Sequence, residues 1–180
     1  EHLTNGLIQA TLIFSVTRFL LVAVGVAVVI AGLRLRDLGI EVHYGRWLIT
    51  GRPRAILFNP AAVRDRLGEI KYLFWHDHDI AMPEGDALVD DVLCFGYQVE
   101  QFFRLLTQET AGRRQVVGHF HEWMGGAAIP RIRRAQLPIN FVFTTHATLL
   151  GRYLASQDPL FYDHAPFVDW EADARRFNIE

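Results

Sequence analysis

The chain has 180 residues, 51% of them hydrophobic and 21% charged, with a formal net charge of -2. That suffices for one globular domain with a real core; it excludes a disordered chain and argues against a nucleic-acid binder, which carries a basic excess. The lone cysteine, Cys94, excludes a disulfide framework or a multi-cysteine zinc site and points to a reducing, cytoplasmic compartment.

Phe19 to Leu33 carries no charge and is bounded by Arg18, Arg34 and Arg36. A spanning helix needs about 20 apolar residues, and the run lies too far inside the chain for a cleaved signal. Its richness in Val predicts a buried parallel strand running into the start of a helix, so no membrane partner is expected. Arg34 to Gly39 reads as a helix end, with Gly39 as the terminator. Ile40 to Tyr44 alternates like a strand, and Trp47–Thr50 with Ala55–Phe58 form a hairpin around Gly51-Arg52-Pro53. Asn59-Pro60 marks a helix start.

Asp86 to Gln108 is the longest amphipathic segment. Leu88, Val89, Val92, Leu93, Val99, Phe102, Phe103 and Leu106 recur at helical spacing, with Gly96 as a weak point. Cys94 lies inside it and reads as core. Next, Gln115–Gly118 opens a strand, and Glu122–Arg134 reads as a helix that Pro130 should kink or break. Ile139–Phe143 is a strand and His146–Ala155 a helix. Strand, helix, strand, helix at this spacing predicts a doubly wound α/β domain around a mostly parallel, Rossmann-like sheet.

In such a sheet, ligands bind outside the carboxyl ends of the strands. One strand there delivers His119-Phe120-His121-Glu122-Trp123 and the next Thr144-Thr145-His146, so both would face one crevice if the strands are neighbours. Thr144 or Thr145 can cap the following helix, whose free N–H groups suit an anion. Arg152 lies seven residues beyond Thr145, on the same helical face, and Leu149, Leu150, Tyr153 and Leu154 supply the packing face. Taken singly, these residues are also a cap, a satisfied histidine and a solvated arginine. His119, His121 and Glu122 are competent metal ligands, as is His76-Asp77-His78-Asp79, but neither cluster has an established metal spacing. No metal or cofactor is therefore expected. Neither a Walker loop nor a Gly-x-Ser-x-Gly elbow is present.

Phe143-Thr144-Thr145-His146-Ala147-Thr148-Leu149-Leu150-Gly151-Arg152-Tyr153-Leu154 closely resembles a signature of the glycogen synthase family of the animal and fungal type. His119-Phe120-His121-Glu122-Trp123 resembles a second signature, and Gly45-Arg46-Trp47-Leu48-Ile49 a weaker third. The resemblance implies the N-terminal, acceptor-side half of a retaining GT-B glycosyltransferase that works without a catalytic metal. Such an enzyme moves glucose from a nucleotide-diphosphate glucose (UDP- or ADP-glucose) to the non-reducing end of an α-1,4-glucan. By position, His146 would stabilise the transition state beside the glucose and Arg152 would contact the donor diphosphate. Glu122, with His119, His121 and Thr145, would bind substrate.

Two departures accompany the resemblance. The family's lysine-valine-glycine-glycine loop has no counterpart, since Val24-Gly25-Val26 lacks the lysine, and the donor-binding domain is expected to lie outside these 180 residues. The chain alone is then expected to be inactive. The alternative is a non-catalytic glucan-binding or scaffold module of the same fold. Self-association into a homo-oligomer stays open.

Overall fold

The computed structural model describes residues 21–111 and 115–179, with the backbone alone for residues 21–27. The chain divides between Thr144 and Thr145 into two compact units.

The first unit opens with helix α1 (Leu21–Asp37), where the Val-rich run predicts a strand. Phe19 and Leu20 of that run lie outside the described residues. The reason for the helix is a periodicity hidden in a uniformly apolar stretch. Val28, Ala31 and Leu35 are buried at three- and four-residue intervals, whereas Val29, Ile30 and Leu33 are exposed. Uniform apolarity over so short a run does not separate helix from strand. The C-terminus ends as expected at Gly39, which has φ 76°. Its N–H bonds to the Arg36 carbonyl and that of Ile40 to the Leu35 carbonyl, both at 3.0 Å. Leu35 and Ile40 are both buried, the apolar contact that accompanies this kind of stop.

Strands β1 (Val42–Arg46) and β2 (Arg54–Phe58) form an antiparallel hairpin. The hairpin expected between Trp47–Thr50 and Ala55–Phe58 is corrected: β2 pairs instead with β1, where Ile40–Tyr44 reads as a strand, and Trp47–Thr50 belongs to the loop between them. The Trp47 N–H bonds to the Pro53 carbonyl at 2.9 Å, and the Arg52 N–H closes a turn on the Ile49 carbonyl. That turn places Gly51 at φ 86°, a conformation cheap only for glycine. As predicted, Asn59 caps the next element: its side-chain oxygen accepts from the Ala61 N–H at 3.1 Å. Pro60 begins a 3-10 segment, Pro60–Arg66, which runs into α2 (Leu67–His78).

Helix α3 (Ala87–Thr110) is the spine of the unit. Asp86 caps it by accepting from the N–H groups of Leu88 and Val89. Of the expected core face, Val92, Leu93, Val99, Phe102, Phe103 and Leu106 are buried, whereas Leu88 is exposed. Cys94 is buried too, and burial pushes its thiol above its ordinary pKa. Gly96 has a packing reason: a Cβ there would meet the backbone of Ala127 at 3.1 Å. Buried Glu100 accepts from Arg104 and Arg131, each at 2.6 Å.

Strands β3 (Val116–His121) and β4 (Ile139–Thr144) pair in parallel, from Val116 opposite Ile139 to His121 opposite Thr144. Between them lie α4 (Glu122–Gly126) and α5 (Ile129–Arg134). The helix expected over 122–134 is thus broken, with Pro130 in the first turn of α5, where its missing N–H costs nothing. Buried Phe120 ties this pair to α3, its ring centroid 5.8 Å from those of both Phe103 and Phe141.

The described residues therefore form a mixed α/β structure with two separate two-stranded sheets, one antiparallel and one parallel. The short loop from Trp47 to Pro53 permits only antiparallel pairing, whereas the 122–138 connection is long enough for a crossover. No helix among the described residues is long and apolar enough to cross a membrane.

The second unit contains α6 (Leu149–Gln157), α7 (Phe161–His164), a 3-10 turn over Ala165–Phe167 and α8 (Trp170–Phe177). Tyr153 of α6 stacks on Phe177 of α8 at 5.3 Å and 13°. Leu150 and Leu154 of the expected packing face are partly buried, whereas Leu149 remains exposed.

Candidate functional site

Strand β3 alternates, so His119 and His121 project to one side while Phe120 enters the core. Their rings lie 4.1 Å apart between centroids, tilted by 35°. His119 Nε2 is 2.8 Å from the hydroxyl oxygen of Thr144, across the parallel pair at its carboxyl end. His121 is the last residue of β3, and Glu122 then begins α4 with φ 58°. A non-glycine residue in that left-handed region costs about 1–2 kcal/mol. Strain of this kind concentrates at functional positions. The strand end thus gathers two imidazoles and a hydroxyl, with Glu122 next in the chain, a set suited to the hydroxyl groups of a polar ligand.

Thr145, His146 and Arg152 belong to the second unit. The expected cap at Thr144 or Thr145 is corrected: helix α6 starts at Leu149, and Thr148 caps it, its oxygen accepting from the Gly151 N–H at 3.0 Å. Gly151 leaves room for this cap, since a Cβ would stand 2.9 Å from the Thr148 oxygen. Thr145 lies outside the helix and its hydroxyl donates to the Ala147 carbonyl at 3.0 Å. The seven-residue spacing to Arg152 therefore puts no common helical face beneath the two. His146 is exposed in the segment before α6, and Arg152 is exposed in its first turn. Their alignment with the family signature, not a shared helix face, is what singles them out.

The two histidine clusters differ from metal centres. Among the described residues, no group of three or more His, Cys, Asp or Glu side chains converges as a metal would require. At the end of α2, His76 Nδ1 pairs with Asp77 Oδ1 at 2.9 Å, which holds the Asp77 carboxyl below its ordinary pKa. Asp79 instead forms the left-handed cap of that helix. In the second unit His164 Nδ1 lies 2.6 Å from Asp158 Oδ2; this bond, with the Leu160 N–H, lowers the Asp158 pKa.

Two residues take roles that the sequence does not assign them. Thr144 reads as a cap and is a partner of His119; the parallel register, once known, brings the two strand ends together. Thr148 has the Thr-x-x-Gly context of a cap, but the two threonines before it offer the same chemistry.

A protein-family model described as glycogen synthase matches residues 24–179. The chain is 38% identical over 146 residues to a glycogen [starch] synthase of Neurospora crassa, covering 81% of this chain and 20% of that protein. It is 39% identical to glycogen [starch] synthase isoform 1 of Saccharomyces cerevisiae, with the same coverage. It is also 39% identical to the liver glycogen [starch] synthase of Homo sapiens, over 77% of this chain and 20% of the relative. The chain thus spans about a fifth of the length of the curated relatives it matches. With a match across nearly its whole described length, the chain belongs to the glycogen synthase family.

Proposed function

We propose that this chain is the acceptor-side part of a retaining, GT-B-type glycosyltransferase that transfers glucose from a nucleotide-diphosphate glucose to the non-reducing end of an α-1,4-glucan. The observation that carries this reading is the family match together with the polar cluster at the carboxyl ends of β3 and β4. In the reaction, the bond from the anomeric carbon to the diphosphate oxygen breaks, and a bond from that carbon to the acceptor hydroxyl oxygen forms. The acceptor proton leaves with the nucleoside diphosphate. Positive charge grows on the sugar and negative charge on the departing phosphate.

His119, His121, Glu122 and Thr145 bind substrate in this reading, with the carboxylate of Glu122 accepting from sugar hydroxyls. His146 acts beside the transferred glucose, where the charge develops. Arg152 offers its guanidinium to the diphosphate, a pairing whose planar fork suits phosphate oxygens. Groups aimed at charge that exists only in the transition state are the effective means of accelerating such a step. A donor-binding domain beyond this segment completes the cleft, and the 180-residue chain alone is inactive because half a cleft orients neither substrate against the other. Detectable transfer by the isolated chain would contradict that last point.

The test uses an enzyme that carries this segment together with its donor domain. Arg152→Ala removes one stabilising group and lowers turnover roughly 100- to 1000-fold. His146→Ala lowers turnover more than it weakens donor binding. Wild-type turnover in both variants would refute the assigned roles. The alternative is a glucan-binding module of the same fold without catalysis. Glucan binding untouched by His146→Ala, in a protein without transfer activity, would select it.

A further inference from the structure

Helix α4 has little reason of its own to form. It is a single turn of five residues, Glu122–Gly126, and it ends in two glycines, Gly125 and Gly126. Only proline forms helix less readily than glycine, and a turn this short is unstable by itself. The entry is costly too. The chain passes from extended His121 (φ -110°, ψ 129°) straight into left-handed Glu122 (φ 58°). A residue in that region persists when its surroundings over-determine it, so packing must hold α4 in place.

Two close approaches hold it. On one side the chain after α4 lies against α3: a Cβ at Gly96 would stand 3.1 Å from the Ala127 carbonyl carbon and 3.2 Å from its oxygen. On the other side a Cβ at Gly126 would stand 2.9 Å from Cε2 of Phe143, the residue before Thr144 in β4. Gly126 and Ala127 are consecutive, so the corner after α4 is held between α3 and β4. Both contacts exist only where a hydrogen stands in place of a side chain.

The corner and the strained residue are joined without slack. Ala127 keeps right-handed helical dihedrals (φ -57°, ψ -24°), and the five residues of α4 before it span only about 7.5 Å at about 1.5 Å each. No loop lies between the held corner and Glu122 to absorb a displacement. Glu122 is the joint at which the strand direction becomes the helix direction, and the angle of that joint follows from where the corner sits.

We propose that Gly96 and Gly126 are positioning residues for Glu122. Their close approaches hold α4 where a left-handed Glu122 connects it to β3, and so fix where that residue sits beside the carboxyl ends of β3 and β4. This role rests on the reading that Glu122 binds the acceptor glucan.

The test is backbone NMR of the 180-residue chain with and without a linear α-1,4-glucan. Gly96→Ala should move the Glu122 amide and Cα signals and its HN–Hα coupling, which reports φ directly. It should also raise the glucan concentration at half-saturation about tenfold, the worth of one charge-assisted bond. Gly126→Ala should act in the same direction but less, because its methyl meets the far end of a ring that can turn aside, whereas that of Gly96→Ala meets backbone. Ile56→Val trims a buried residue of β2; it should lower stability yet leave the Glu122 signals and the glucan midpoint in place. Glu122 signals that stay still in both glycine variants, or that move equally in Ile56→Val, would overturn the proposal. If Gly96→Ala does not fold, Gly126→Ala decides between the same outcomes. Glucan binding untouched by Glu122→Gln would refute the acceptor reading itself. Binding that Glu122→Gln weakens and the glycine variants spare would refute the positioning role alone.

Discussion

Thr144, the last residue of β4, holds the ring of His119 through a 2.8 Å contact to Nε2, although the ladder sets it opposite His121. The bond runs diagonally across the parallel pair and fixes one imidazole of a close pair. Thr144→Val keeps the shape and the β-branched fit but removes the hydroxyl. The His119 side-chain resonances should then change in an NMR spectrum with the fold intact. Glucan affinity should fall roughly 2- to 10-fold, the usual net worth of one hydrogen bond.

Glu122 presents its carboxylate from a left-handed backbone, φ 58°. Glu122→Gly removes the conformational cost and should stabilise the chain by about 1 kcal/mol in urea unfolding, while glucan binding is lost. A variant less stable than the parent would mean that the strain is offset by contacts of the Glu122 side chain.

The buried carboxylate of Glu100 bridges α3 to α5 through Arg131, at 2.6 Å. Arg131→Met leaves that charge with Arg104 as its remaining cation. Removing one partner of a buried pair costs about 3–5 kcal/mol, and the retained Arg104 places this variant near the lower end. Chemical denaturation measures it, and a neutral result would show that Arg104 alone satisfies Glu100.

Gly96→Ala sets a propensity gain against a clash. Alanine improves an exposed helix by about 1 kcal/mol over glycine, but here its methyl would press on the Ala127 backbone at 3.1 Å. Overpacking typically costs about 1–3 kcal/mol, so the variant should be less stable. A rise in melting temperature would show that the α4–α5 corner yields freely.

Acid should act on the second unit through Asp158. Its folded-state pKa is depressed, first by the His164 hydrogen bond and then by the Leu160 N–H. The sign follows from that depression: the contact stabilises the fold above the ordinary aspartate pKa, and the benefit is lost as pH falls through the lower folded value. Carboxyl NMR titration should show Asp158 ionising below the ordinary range, and His164→Ala should move it upward.

Local signals with a strong stereochemical cause were legible in the sequence. Gly39 and Asn59-Pro60 each stop or start an element where backbone geometry or an unpaired N–H demands it. The α3 core face and the Pro130 break were legible for the same reason. The Val-rich run was not, because its buried stripe of Val28, Ala31 and Leu35 is masked by apolar neighbours. Three threonines in five residues, Thr144, Thr145 and Thr148, offer identical capping chemistry, and only the strand end decides which one serves. The His119–Thr144 contact needs a register that no single segment encodes. The motifs carrying His119, His121, Glu122, His146 and Arg152 were readable as a family resemblance, and the family match covers the segment that contains them.

The most direct trial is a titration of the chain with a linear α-1,4-glucan, followed through the histidine side-chain resonances in two-dimensional NMR. The His119 and His121 signals should shift saturably, and Glu122→Gln should raise the glucan concentration needed. Histidine signals at these positions that stay still while the chain is saturated with glucan would contradict an acceptor site at the carboxyl end of β3.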